Sequence, residues 1–279
     1  MEGISGVTSR RETATGWPPG AGRGDDYVRA CAWMTADANA AIAGAFEGGA
    51  TEVLVADAHD GMLNLLWESL DQRAELIRGY QGRRGLMIEG IDESFNGVFC
   101  VGYHARAADG RGVLSHTFTG TDTLWEVHLN GEPASETRFN AALAGQYGVP
   151  LALITGDDVI CDETRGWLPH VETAVVKYAI DRFTARCLAQ STALERIRLA
   201  ACRAMQRLGE MQPFRLPSPI VLEMTFGDSS MAAAVNRIPH TERSADRCIR
   251  YSAQNAQEAY DVCSIALVLA GAIARSERL

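Results

Sequence analysis

The chain alternates between short continuous apolar runs and longer stretches of helical periodicity. Three runs read as strands buried on both faces: Thr51 to Asp57, Gly97 to Gly102 and Val149 to Thr155. Before the first run, Val28, Cys31, Ala38, Ile42, Ala45 and Phe46 recur at helical spacing. That pattern predicts a helix capped by Asp25 or Asp26 and ended by Gly48-Gly49. Residues 8–25 are rich in Thr, Arg, Gly and Pro, contain Trp17-Pro18-Pro19-Gly20, and read as a surface loop. Thr123 to Leu129 alternates as a more exposed strand, and a helix from about Ser135 to Tyr147 leads into the third run. Helices between short buried strands predict an α/β fold, three layers α/β/α around a mostly parallel sheet.

Beyond residue 160 the texture changes. Val171 to Lys177 reads as a strand, 181–209 as mostly helix, Ile220 to Phe226 as an alternating strand and Ala253 to Ala274 as a last helix. The expected organisation is an α/β domain over 1–160 and a smaller α+β domain over 161–279, with the last helix free to pack on the first.

Charge and cysteine usage narrow the class. The 279 residues are 47% hydrophobic, enough for a substantial core, and carry a net charge of -9. An acidic chain of this kind is not an obvious binder of nucleic acid or of an anionic membrane. The longest apolar run, near Ile265 to Ile273, is too short to span a bilayer. Seven widely spaced cysteines without a CxxC pair exclude a disulfide framework and a cysteine zinc site, and indicate a reducing cytoplasm. No signal peptide is visible, and neither GxGxxG after a strand nor a P-loop occurs.

Open α/β sheets bind ligands beyond the carboxyl ends of their strands. The first run is followed by Asp57-Ala58-His59-Asp60, the second by Tyr103-His104-Ala105, and the third by Gly156-Asp157-Asp158. His116 lies 12 residues beyond His104. Imidazoles and carboxylates delivered to one sheet edge suit zinc or a similar metal in a hydrolase. Asp157 and Asp158 are candidates to hold a substrate ammonium or orient a liganding histidine, or simply to cap the next helix. Lys177 is the only lysine. It is a candidate for substrate binding or an interface, with a solvated side chain as the alternative. His128 and His170 read as non-catalytic.

The same residues carry a resemblance to a known family. Glu2-Gly3-Ile4-Ser5-Gly6, Met34-Thr35 with Asn39, Glu52 to Val55 through His59, Glu89 to Asp92, Gly102 to Ala107, Ser115-His116, Asn140-Ala141, Gly156 to Asp158 and Glu258 to Tyr260 stand in the order found in the zinc D-aminopeptidases encoded beside bacterial dipeptide transporters. The chain resembles that family along nearly its whole length. The resemblance implies metal ligands Glu2, His59, His104 and Glu136, with His116 as a catalytic histidine outside the ligand set. Ser135 stands where the family usually has glycine before the last glutamate, and Glu132 is the weaker candidate for that role. The family's Asp-x-Glu-Gly motif would place its aspartate before residue 1, on an N-terminal strand expected to be missing here, which leaves one or two zinc ions open. The resemblance further implies hydrolysis of short peptides with N-terminal D-residues, of the D-Ala-D-Ala type, and a ring-shaped homo-oligomer. The alternatives are an inactive metal-binding member and a hydrolase of another small amide.

Overall fold

A computed structural model describes residues 1–13, 24–80 and 85–276. Trp17-Pro18-Pro19-Gly20, read as surface loop, lies outside the described residues. Among the described residues the helices are α1 (Arg10–Thr13), α2 (Asp25–Glu47), α3 (Glu136–Gln146), α4 (Asp158–Trp167), α5 (Gln190–Gln206), α6 (Ser229–Val235) and α7 (Ala256–Ser276). The strands are β1 (Leu54–Ala56), β2 (Glu75–Ile77), β3 (Val98–Tyr103), β4 (Leu124–Leu129), β5 (Glu132–Pro133), β6 (Leu151–Asp157), β7 (Glu172–Asp181), β8 (Thr184–Cys187), β9 (Ile220–Phe226), β10 (Glu242–Ala245) and β11 (Cys248–Ala253).

The central sheet runs β3-β6-β7-β8, parallel except for β8. Its middle strand β6 is buried at every position, as a continuous apolar run requires. Side chains from one face of this sheet join α2 and α5 in a cluster that includes Ala41, Leu153, Val176 and Ile197. The other face meets α3 and α4 through Cys100, Ile154, Phe139 and Ile160. This is the expected α/β/α layering. An antiparallel sheet, β10-β11-β9-β4-β5, lies beyond α3, with α6 and α7 packed on it.

Four expectations change. The first apolar run does not enter the central sheet: β1 pairs only with β2, and its three residues are half-buried. Gly24 precedes α2 without a side-chain cap, and Asp25 and Asp26 sit in the first turn, where their charge favours the positive helix end. The stretch 181–209 is mostly helix, but not from its start. Arg182 N–H donates to Asp181 Oδ1 and turns β7 into β8, so α5 begins only at Gln190. Strands from either side of residue 160 pair in both large sheets, β6 with β7 and β4 with β9, so the two-part division does not follow the sheets. One hydrophobic cluster runs through both, which explains why the chain packs as it does.

By length and composition α7 is also long and apolar enough to cross a membrane. It packs on α3, α6, β9 and β11 through Tyr260, Cys263, Ala266 and Ala270. Its remaining face borders the cleft described below.

On α2, Asp37 is fully buried and accepts hydrogen bonds from Ser5 N–H at 2.8 Å and Ser5 Oγ at 2.6 Å. Burial raises its carboxyl to about 6, against the Ser5 bonds and the charge of Lys177, which pull it down. Folding therefore favours the protonated acid, and the cost of the buried charge grows as pH rises from about 4 to about 6. Relative to Asp37→Asn, the wild type should lose about 2 kcal/mol of unfolding free energy between pH 4 and pH 7. Urea titrations of both proteins across that range check this, and parallel stability curves would overturn it.

Candidate metal centre

The site begins with the loop that carries Glu2. Gly3 N–H donates to Gly102 O at 3.1 Å at the end of β3. A Cβ on Gly3 would meet Tyr103 O at 1.6 Å, so only glycine lets the loop lie against the strand. From β7, the buried Lys177 ammonium donates to Glu2 O at 2.5 Å, Ile4 O at 3.1 Å and Val7 O at 2.6 Å. Three donors thus meet three carbonyls, and the loop is fixed with the Glu2 side chain in the cleft. Burial pulls the Lys177 ammonium down to about 8, while Asp157 and Asp37 are among the groups that hold it up.

The connection that follows β1 supplies His59, the end of β3 supplies His104, the loop after it His116, and the first turn of α3 Glu136. Glu2 Oε2 lies 3.3 Å from His59 Nδ1. His104 Nε2 lies 3.5 Å from Glu136 Oε2, and His116 Nε2 lies 4.0 Å from Glu136 Oε1. The rings of His104 and His116 stack at 4.1 Å. Ligand atoms of Glu2, His104 and His116 all fall within 4.8 Å of one another.

Each imidazole is oriented by the backbone. His59 Nε2 contacts Thr13 O at 2.8 Å, His104 Nδ1 contacts Ala105 O at 3.0 Å, and His116 Nδ1 contacts Leu114 O at 2.7 Å. A carbonyl cannot donate, so each of these ring nitrogens carries the hydrogen. The other nitrogen of each ring then faces the carboxylates, the arrangement that orients metal-binding histidines. The contacts to the carboxylates, 3.3 to 4.0 Å, are longer than good charge-assisted hydrogen bonds. Donor atoms held near one another but not bonded together fit a shared cation, and two carboxylates with imidazoles fit zinc.

The electrostatics agree. Burial would raise Glu2, but His59 and the N-terminal ammonium hold it well below the usual carboxylate range. Burial likewise opposes ionisation of Glu136, and His104 outweighs it, bringing Glu136 to about 2. Burial lowers His104, yet Glu136 and Glu2 together lift it to about 9. His116 is lowered by burial and by His104.

All five residues expected at the centre, Glu2, His59, His104, Glu136 and His116, line one cleft of about 560 Å³. The three weaker candidates do not. Asp157 is buried, caps α4 through Ile160 N–H and accepts from Val113 N–H. Asp158 accepts from Ala179 N–H and borders a different cavity. Lys177 is spent on the loop carbonyls. These side chains support the scaffold, because their polar atoms are already bonded to backbone. Glu132 is exposed on β5 and does not line the cleft.

A family model described as D-aminopeptidase matches residues 1–265. The chain belongs to the D-aminopeptidase family. A D-aminopeptidase of Bacillus subtilis (strain 168) is 34% identical over 271 residues, covering 97% of this chain and 95% of that one. The solved structure of the Zn-dependent D-aminopeptidase DppA from Bacillus subtilis, a self-compartmentalizing protease, superposes with a TM-score of 0.90 at 34% identity over 97% of this chain and 95% of that one.

Sequence reasoning missed the buried network that joins these family elements. Tyr260 OH donates to Asn140 Oδ1 at 2.9 Å, and Asn140 Nδ2 donates to Tyr103 OH at 2.8 Å. Asn140 lies one helical turn after Glu136, and Tyr103 directly precedes His104. Asn140-Ala141 and Tyr260 stood among the family-like motifs, and that was the available signal.

Replacing Lys177 by Met leaves three buried carbonyls without donors. Each such group costs about 1–3 kcal/mol, so Lys177→Met should lose about 3 kcal/mol or more of unfolding free energy in urea titrations. A loss under about 1 kcal/mol would show that the ammonium does not hold the loop.

Proposed function

We propose that the protein is a zinc-dependent aminopeptidase that hydrolyses short peptides bearing N-terminal D-residues. The observation that carries this reading is the set of imidazoles tethered to backbone carbonyls with their free nitrogens turned toward Glu2 and Glu136. Glu2, His59, His104 and Glu136 would hold the metal. Bound zinc supplies a Lewis acid that polarises a carbonyl and lowers the pKa of a coordinated water.

His116 has a different part. Its side chain is 19% exposed, against 9% for His59 and 5% for His104, so it is the imidazole that most faces the cleft. Its Nε2 would pass a proton to the leaving amine. Met34, Met62, Leu86, Met87 and Phe118 line the cleft and give the peptide's side chains an apolar seat.

The self-compartmentalizing character of the Bacillus subtilis relative supports a homo-oligomeric assembly, here proposed as a ring. Exposed Val28, Ile180 and Phe183 offer apolar surface for it. Cys100, Cys161, Cys187, Cys202, Cys248 and Cys263 are free thiols, which supports a reducing cytoplasm as the compartment.

The test is a paired measurement of zinc content and turnover. Wild-type protein should hydrolyse D-Ala-D-Ala and lose that activity on chelation, with recovery on adding zinc. His104→Ala should lose zinc and activity together. His116→Ala should keep its zinc while kcat falls at least about a hundredfold. Zinc lost with His116 would move that residue into the ligand set, and zinc-independent hydrolysis would overturn the proposal.

A further inference from the structure

The cleft has two chemically different ends. At one end lie the carboxylates of Glu2 and Glu136. One wall is a stripe of α7, Ser264, Leu267, Val268, Gly271 and Arg275, spaced as one helical face. Val268 is 56% exposed because it faces this open cleft. Arg275 is the only arginine or lysine lining the cleft among the described residues. It makes no ion pair with any described residue.

The position of that cation follows from the helix. Tyr260, near the start of α7, packs edge-on against Phe118 at 5.8 Å, and Phe118 N–H donates to Glu136 at 2.6 Å. The helix therefore starts beside the carboxylates. The Arg275 side chain folds back along it: a Cβ on Gly271 would stand 3.4 Å from Arg275 Nη1. From Tyr260 to Gly271 the helix rises about 16 Å. An extended peptide covers that distance in about five residues.

We propose that Arg275 binds the free carboxylate at the far end of the peptide, so that the cleft reads both termini of a substrate of about four to five residues. This deepens the aminopeptidase reading and rests on it for the direction of the peptide. A peptide carries its positive charge at the amino end and its negative charge at the carboxyl end. The metal centre at one end takes the amino-end bond, and the guanidinium at the other end meets the negative carboxyl end. Guanidinium recognises carboxylate through paired donors, and an amide in its place offers only a neutral acceptor.

The probes are D-alanyl-tetraglycine and its C-terminal amide. Calorimetry on chelator-treated protein measures binding, and kcat/KM on zinc-loaded protein measures turnover. The wild type should favour the acid over the amide about tenfold, in Kd and in KM rather than kcat. In Arg275→Gln the ratio should fall close to one, and Arg275→Lys should keep part of it. For D-alanyl-glycine, too short to reach, acid and amide should differ little. A ratio near one in the wild type, or an unchanged ratio in Arg275→Gln, overturns the proposal. If no peptide is hydrolysed yet the binding ratio follows Arg275, the carboxylate site stands and the hydrolase reading fails. Hydrolysis without the ratio removes the carboxylate site and leaves the hydrolase reading intact.

Discussion

The structure depends on one buried ammonium. Lys177 is the only lysine of the chain and is fully enclosed between the central sheet and the loop of residues 1–8. A buried charge is tolerable only when its donors are satisfied and a compensating charge is near. Here three donors meet the carbonyls of Glu2, Ile4 and Val7, while Asp157 and Asp37 supply opposing charge. Arginine would not serve, because its planar fork cannot converge three ways on carbonyls of one curled loop. The loop carries the Glu2 carboxylate, so the ammonium inside the protein sets the position of the carboxylate that lines the cleft.

The centre built on that loop is unstable as a set of charges and coherent as a set of ligands. Two carboxylates are held ionised in a buried place, and His104 is driven toward its protonated form to compensate. The histidines cannot turn away, since each is tethered by its other nitrogen. Tethering costs conformational freedom before any ligand arrives and leaves less to lose on binding. The Asn140 network extends the same logic outward. It ties the strand end before His104 to the helix of Glu136 and to α7, so the two sides of the centre cannot drift independently.

Local signals in the sequence were sound wherever the physics is local. The unbroken apolar run of β6 reported its complete burial, and Glu2, His59, His104, His116 and Glu136, each in a short family-like motif, line one cleft. What the sequence hid was long-range. The bond from Lys177 to Glu2 spans 175 positions, and no pattern near residue 177 distinguishes it from a solvated lysine. Strand β4 pairs with β9 across nearly a hundred residues, which is why a boundary near 160 looked reasonable and the sheets ignore it. The first apolar run looked like the others, yet its short strand found one partner instead of two, and apolar content alone cannot tell these apart. Asp157 and Asp158 follow a strand as ligands would, but a helix start needs the same residue type.

The cleft is assembled from opposite ends of the described chain. Residues 1–8 supply Glu2 and are pinned by β7. Helix α7 supplies one wall and is pinned through Tyr260 to α3 and β3. Neither segment has a covering face of its own: the loop is irregular backbone, and α7 keeps Ile265 and Val268 exposed. Each is therefore ordered by contacts with the middle of the chain, not with its sequence neighbours. A site divided in this way depends on the central sheet, the second sheet and α3 together. Asn140, one turn after Glu136 on α3, bonds to Tyr260 on α7, so any change that loosens α3 must be felt at Glu136 and at the α7 wall together.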